Sequence, residues 1–166
     1  MAVRRATAGR DSAAVRRART QELDRVAALW SAITEHHAPL DPLFRMRDGA
    51  DSELRELLGS LMRDPDALVL VYRDGDDLPG MCIVRIDRAP PILEEIERAE
   101  ITDLGVREDA RRHGIGRELV AAALEWVEAA GVARVEVQVA TGNREGQAFW
   151  RALGFGQLMD VLHKRL

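Results

Sequence analysis

With 166 residues, 46% of them hydrophobic and 31% charged, the chain has the size and balance of one globular domain with a sizeable buried core. Disordered and membrane-embedded chains are excluded by that balance, and no apolar run approaches membrane-spanning length. A net charge of -4 gives no global electrostatic reason to bind nucleic acid, and the single cysteine, Cys82, cannot close an internal disulfide, so the cytoplasm is the expected compartment.

The hexapeptide AVRRAT at residues 2–7 recurs as AVRRAR at 14–19, too short a unit for a repeat architecture. Only the second copy runs into a helical pattern, so it is assigned the first strand, and residues 1–12 are expected to be a flexible leader to a single domain over 13–166. Leu23, Val26, Ala27, Trp30 and Ile33 follow helical spacing with Thr20 as N-cap, and this helix should end before Pro39. A second amphipathic helix carries Leu54, Leu57, Leu58, Leu61 and Met62 and stops at Asp64-Pro65. Residues 67–73 and 80–87 read as antiparallel strands joined by a turn at residues 74–77, DGDD.

Past Pro90-Pro91, residues 99–106 (AEITDLGV) read as another strand. A helix is expected from Arg117, with Leu119, Val120, Ala123, Leu124 and Val127 on one face and Gly131 at its C-terminal cap. Residues 132–139 read as a strand of alternating valines, so residues 99–139 form a parallel crossover. Asn143 can cap a short helix through Leu153, and residues 155–166 can supply a closing strand or a very short hairpin. A hairpin plus a parallel crossover makes the sheet mixed, and the class α+β, or α/β by some schemes.

Between the strand at 99–106 and the next helix lies residues 111–119, RRHGIGREL. A turn that leaves a strand and enters a helix through glycines presents unpaired backbone N–H groups at the positive end of the helix dipole, which is an anion site. Arg111, Arg112 and Arg117 add charge at its rim. The plainer alternative is a surface loop whose glycines make the turn and whose arginines are solvated. The turn is not a P-loop, because Gly-Lys followed by Ser or Thr is missing. Nor is it a dinucleotide fingerprint, whose third glycine would fall at Leu119.

The turn instead fits the pattern R/Q-x-x-G-x-G/A through Arg111, Gly114 and Gly116. A second pattern, an asparagine followed by an aromatic pair and a terminal Gly-Phe, is met in NREGQAFWRALGF by Asn143, Phe149, Gly154 and Phe155. With both motifs in order, the chain resembles the GNAT superfamily of acyl-CoA-dependent N-acyltransferases over residues 13–166. The resemblance implies a mixed, centrally splayed sheet flanked by helices, and acetyl-CoA as acyl donor. Its pyrophosphate would meet Arg111, Arg112, His113, Gly114, Ile115, Gly116 and Arg117, and its pantetheine the exposed backbone of Leu104, Gly105 and Val106. Asn143, Phe149 and Trp150 would contact the cofactor arm. The implied reaction is transfer of the acetyl group to a primary amine of a small-molecule or peptide acceptor by direct attack in a ternary complex. The alternative is a non-catalytic acyl-CoA-binding or regulatory module. Dimerisation is what the resemblance suggests; nucleic acid and membrane are not expected as partners.

Amide formation from a thioester needs a proton removed from the attacking nitrogen, which a carboxylate can accept directly or through water. Glu100 and Asp103 lie on the critical strand, and strand alternation should point them to opposite faces. Asp103 is read either as this base or as the partner of an arginine or a backbone amide. Glu100 is read as the more solvent-facing candidate. Gly105 either allows close approach of another backbone or relieves packing, and Asn143 is both an N-cap and a contact to the cofactor arm. Many family members carry a tyrosine seven residues after the motif asparagine; here that position is Trp150, which cannot serve as a phenolic acid. The only tyrosine, Tyr72, falls on an early strand, and the only lysine, Lys164, near the end of the chain. His36 and His37 are adjacent, without the i, i+4 spacing of a zinc pair, so no metal site is expected, and Cys82 reads as an inert core residue. The acidic stretches ILEEIERAE and DGDD are compatible with a cationic acceptor, polyamine-like or aminoglycoside-like.

Overall fold

The computed structural model describes residues 14–164; the expected leader at 1–12 lies outside the described residues. One five-stranded sheet runs in chain order: β1 (Ala14–Arg17), β2 (Ala67–Asp74), β3 (Asp77–Arg88), β4 (Glu97–Val106) and β5 (Val135–Val137). The first three pairings are antiparallel and β4–β5 is parallel, so the sheet is mixed as the sequence implies. Gly75 adopts a positive φ of 58° in the two-residue turn between β2 and β3.

Helices α1 (Leu23–His37) and α2 (Asp51–Arg63) cover one face of the sheet, and α3 (Ile115–Ala129) and α4 (Arg144–Ala152) cover the other. Strand alternation divides the core accordingly. Val69, Val71, Met81 and Ile83 pack with Val26, Leu29, Leu54 and Leu58 on the α1/α2 side. Leu68, Leu70, Cys82, Val84, Ala99 and Ile101 pack with Leu119, Val120, Ala123 and Val127 on the α3 side.

Several local expectations need correction. Thr20 does not cap α1; it opens a single 3₁₀ turn, Thr20–Glu22, that precedes the helix. The third residue of that turn, Glu22, accepts the backbone N–H of Arg19 at 2.9 Å and two hydrogen bonds from the Arg16 guanidinium at 2.7 and 2.8 Å. A buried carboxylate therefore locks β1 to α1, where the sequence pattern offered only a capping threonine. α2 ends at Arg63 with Asp64 as its C-cap, stopped at Asp64-Pro65 as expected, yet Leu57 is 53% exposed because it lies off the buried Leu54/Leu58 stripe. α3 starts at Ile115, two residues before the expected position, and Gly131 takes a positive φ of 78° just after it. β5 is three residues and not eight. Residues 155–164 form no strand: Leu158, Met159, Val161 and Leu162 are all more than half exposed. No helix among the described residues is long and apolar enough to cross a membrane.

The Arg16 and Arg19 contacts hold the Glu22 carboxyl down at about 2, with the Arg16 hydrogen bond the larger cause, against an ordinary value of 4.5. A lowered folded-state value stabilises the fold above pH 4.5, and that stabilisation drains away as pH falls from 4.5 toward 2. Chemical denaturation at pH 7, 4 and 3 is therefore expected to show Glu22→Gln less stable than the parent at pH 7, with the gap closing toward pH 3. A gap that is constant with pH would contradict this linkage.

Candidate functional site

β4 pairs with β3 along its whole length, from Glu97 opposite Arg88 to Val106 opposite Gly80, but with β5 only at Ala99, Glu100 and Ile101. Beyond Ile101 the two parallel strands part, and the outer edge of residues 102–106 has no strand beside it. The β3–β4 register shifts at this point: Val84 faces Ile101 and Ile83 faces Asp103, which leaves Thr102 as the extra residue of a β-bulge. Cross-strand partners share a face, so Glu100, opposite Arg85, and Asp103, opposite Ile83, lie on the same α1/α2 face. Their expected placement on opposite faces fails because the bulge adds one residue to the alternation.

Into the opening between the strands runs a cavity of about 1380 Å³, larger than the ~300–1,000 Å³ usual for one drug-sized ligand. One wall is β4 from Ile101 to Val106, another is the segment from Val137 to Ala140, the floor is the turn into α3, and α1 closes the side away from α3. Of the residues singled out from sequence, Asp103, Leu104, Gly105, Val106, Arg111, Arg112, Gly114, Ile115, Gly116, Arg117, Asn143, Phe149 and Trp150 line it. Glu100 and His113 do not. Glu100 instead accepts a hydrogen bond from the Gln138 amide at 3.1 Å, below the point where the strands separate.

The turn has the geometry of an anion cradle. Arg112 and Gly114 both take positive φ, 65° and 85°, the second as N-cap of α3. Among the described residues, no backbone N–H from residue 112 to residue 116 donates to a protein acceptor, whereas Arg117 and Glu118 both donate to the Gly114 carbonyl. Five successive unpartnered N–H groups thus lie at the start of a 15-residue helix, beginning six residues after the end of β4, and four of the five residues, all but His113, line the cavity. Space above Gly114 is open, and a Cβ on Gly116 would lie 3.4 Å from Phe149. The Arg111 side chain is turned inward, donating to the Val106 carbonyl at 3.0 Å and to Nε2 of His36 at 3.2 Å, so it braces the turn against β4 and α1.

Asn143 accepts the Gly146 N–H at 2.9 Å and so caps α4, while its amide NH₂ has no partner among the described residues. Gly105 is explained by α1: a Cβ there would overlap the Ile33 side chain at 2.2–2.6 Å. Close packing of α1 on β4 thus demands a glycine at the strand's free edge, whatever else approaches that edge.

A model of the acetyltransferase (GNAT) family matches residues 30–155, which spans both walls, the turn and α4. The chain belongs to this family. The mycothiol acetyltransferase of Beutenbergia cavernae is 36% identical over 105 residues, 62% of this chain; those residues span about a third of that relative, 33% of its length. Among solved structures, a tetramutant of the BH1408 protein from Bacillus halodurans superposes with a TM-score of 0.81 at 22% identity, covering 92% of this chain and 99% of that one. The aminoglycoside N-acetyltransferase AAC(6')-Iy, in a complex with CoA, superposes with a TM-score of 0.74 at 15% identity over 93% and 95% of the two chains. Likeness at such identities establishes a shared fold: this GNAT chain has the mixed sheet of that family with helices on both faces.

The reactive groups of this GNAT domain are few. Asp103 is half-buried at the mouth of the opening, its Oδ1 accepting the Trp30 indole N–H at 2.8 Å and its Oδ2 the Thr102 hydroxyl at 2.7 Å. Trp30, His36, His37 and Phe44 also line the cavity; the Trp30–Asp103 and His36–Arg111 contacts were not legible because they join segments more than 70 positions apart. Cys82 is fully buried on β3 beside β4, its thiol pushed up to about 12 by burial with the Asp103 charge adding, so it stays protonated and inert. Tyr72 is buried in the core on β2, away from the cavity. Trp150, at the position where many relatives carry tyrosine, is 7% exposed and stacks edge-to-face against Phe149 and Phe155. Among the described residues, no group of three or more His, Cys, Asp or Glu is placed to hold a metal ion.

Replacing Gly114 by valine puts a β-branched side chain at a φ of 85° over the free N–H groups. Acetyl-CoA affinity by calorimetry is expected to fall more than about 10-fold, with thermal unfolding lowered by only a few degrees. Unchanged affinity would remove the turn from the binding site.

Proposed function

We propose that the chain transfers an acetyl group from acetyl-CoA to a primary amine of a small cationic acceptor, by direct attack in a ternary complex. The observation that carries this reading is the run of five unpartnered backbone N–H groups at residues 112–116, at the foot of a strand edge that is itself free from 102 to 106. Acetyl-CoA brings an acyl group activated as a thioester. The N–H groups of the turn bind its pyrophosphate, with the Arg112 and Arg117 side chains at the rim. The free backbone edge of Leu104, Gly105 and Val106 orients the pantetheine, and the open amide of Asn143 together with Phe149 borders the same arm.

The acceptor enters from the α1 side, where Asp103 accepts the Trp30 indole N–H and where His37 and Phe44 also line the cavity. Such a mouth suits an ammonium group, through charge and through the ring faces. The amine reacts as the free base: its lone pair attacks the carbonyl carbon, Asp103 accepts the proton that nitrogen must lose, and the C–S bond breaks. No phenol is available to protonate the departing sulfur, because Trp150 fills that position and Tyr72 is sealed in the core; the thiolate leaves as an anion and takes its proton from water. Glu100 does not line the cavity and serves the structure through Gln138.

A cationic small-molecule acceptor is supported by Asp103 at the mouth and by the fold shared with an aminoglycoside N-acetyltransferase. The test is a free-thiol assay of acetyl-CoA against spermidine, tobramycin, glutamate and a lysine-containing peptide. Turnover is expected with spermidine or tobramycin, and Asp103→Asn is expected to lower kcat by about 100-fold or more. Turnover confined to glutamate or the peptide would contradict the acceptor class. Saturable acetyl-CoA binding with no turnover of any amine would favour a non-catalytic binding module.

A further inference from the structure

Asp103 reaches the cavity with both carboxylate oxygens already engaged. The Trp30 indole N–H approaches Oδ1 at 2.8 Å and the Thr102 hydroxyl approaches Oδ2 at 2.7 Å. The terminal torsion of an aspartate is soft and broadly distributed, so a half-buried carboxylate left alone would sample many planes. Two donors on opposite oxygens hold one. Each oxygen keeps a further lone-pair direction, so the clamped group can still accept a proton from a nitrogen in the cavity.

The two donors differ in rigidity. Thr102 is the exposed bulge residue, and its hydroxyl rotates freely. Trp30 is part-buried on α1, one turn before Ile33, whose side chain occupies the space a Cβ on Gly105 would need. The indole is therefore seated by the same contact that docks α1 on β4, and its N–H direction is fixed by the fold. A purely apolar role at this helix position would need no ring nitrogen aimed at a carboxylate 73 residues away.

We infer that Trp30 is a positioning residue for acyl transfer: its indole N–H holds the Asp103 carboxylate in the orientation that accepts the proton of the attacking amine. This rests on the reading of Asp103 as the base. The experiment is a double-mutant cycle with acetyl-CoA and whichever amine of the four above has the highest kcat/KM, using the parent, Trp30→Phe, Asp103→Asn and the double variant. Phenylalanine keeps an aromatic side chain and removes the donor. Position 30 carrying 3-benzothienylalanine, which keeps the bicyclic shape and lacks the N–H, is the second variant should phenylalanine disturb folding.

Loss of the N–H is expected to lower kcat about 10-fold while the KM for acetyl-CoA stays within about twofold. In the Asp103→Asn background the same change is expected to alter kcat less than about twofold, since a group that acts through Asp103 has nothing left to act on. Equal losses in both backgrounds, or an unchanged kcat in both Trp30 variants, would overturn the inference while leaving Asp103 as base. Full activity of Asp103→Asn, or no turnover of any amine, would overturn the base itself and this inference with it.

Discussion

β4 is shared between two neighbours that it cannot follow at once. It keeps nine register positions with β3 and only three with β5, and the parting falls at the bulge where Thr102 is added to the strand. A backbone edge left unpaired inside a fold must find another partner or face solvent. Here it faces a cavity whose floor is a second set of unpaired groups, the N–H donors entering α3. The site is thus defined less by side chains than by backbone hydrogen-bonding capacity that the fold leaves open along one continuous path, from the middle of β4 to the start of a helix. A chain-like ligand with amide groups at one end and phosphates at the other is complementary to that path.

The same bulge sets where Asp103, the proposed base, points. Without the extra residue, Asp103 would point toward the α3 core, on the side of Cys82 and Val84, where an unpaired carboxylate is costly. With it, Asp103 turns to the α1 side, meets Trp30 and faces the opening. α1 approaches closely enough for this contact because position 105 has no side chain. Gly105, the bulge and Trp30 are one arrangement: the glycine admits the helix, the helix supplies the indole, and the bulge turns the carboxylate to meet it. The tryptophan at position 150 has a packing reason of its own, as the middle ring of the Phe149–Trp150–Phe155 stack that anchors α4.

Much of this was legible in the sequence, and the reason differs by element. α2, α3, β2, β3 and the glycine turn carry strong local signals: apolar periodicity, a two-residue Gly-Asp turn, glycines where positive φ is needed. Asn143 was readable as a cap because capping is local. The bulge was not, since a single added residue leaves no mark in an alternation already interrupted by Thr102 and Asp103, and so Glu100 and Asp103 were expected on opposite faces. The valine-rich run at 132–139 looks like eight residues of strand but pairs for three, because its partner turns away at Ile101. The run after Gly154 has apolar residues at 158, 159, 161 and 162, which is not a period of two, and residues 155–164 make no strand. The Trp30–Asp103 and His36–Arg111 contacts depend on tertiary docking, which no local pattern encodes.

On the proposed reading, an open backbone path ending at residues 112–116 binds acyl-CoA through its pyrophosphate. Calorimetric titration of the protein with acetyl-CoA and, separately, with S-acetylpantetheine is the sharpest test, because the two share the thioester and the pantetheine arm and only acetyl-CoA carries the 3′-phospho-ADP end that includes the pyrophosphate. Saturable binding of acetyl-CoA with S-acetylpantetheine weaker by about 100-fold or more is the expected result. Equal affinity for the two, or no binding of acetyl-CoA, would contradict it.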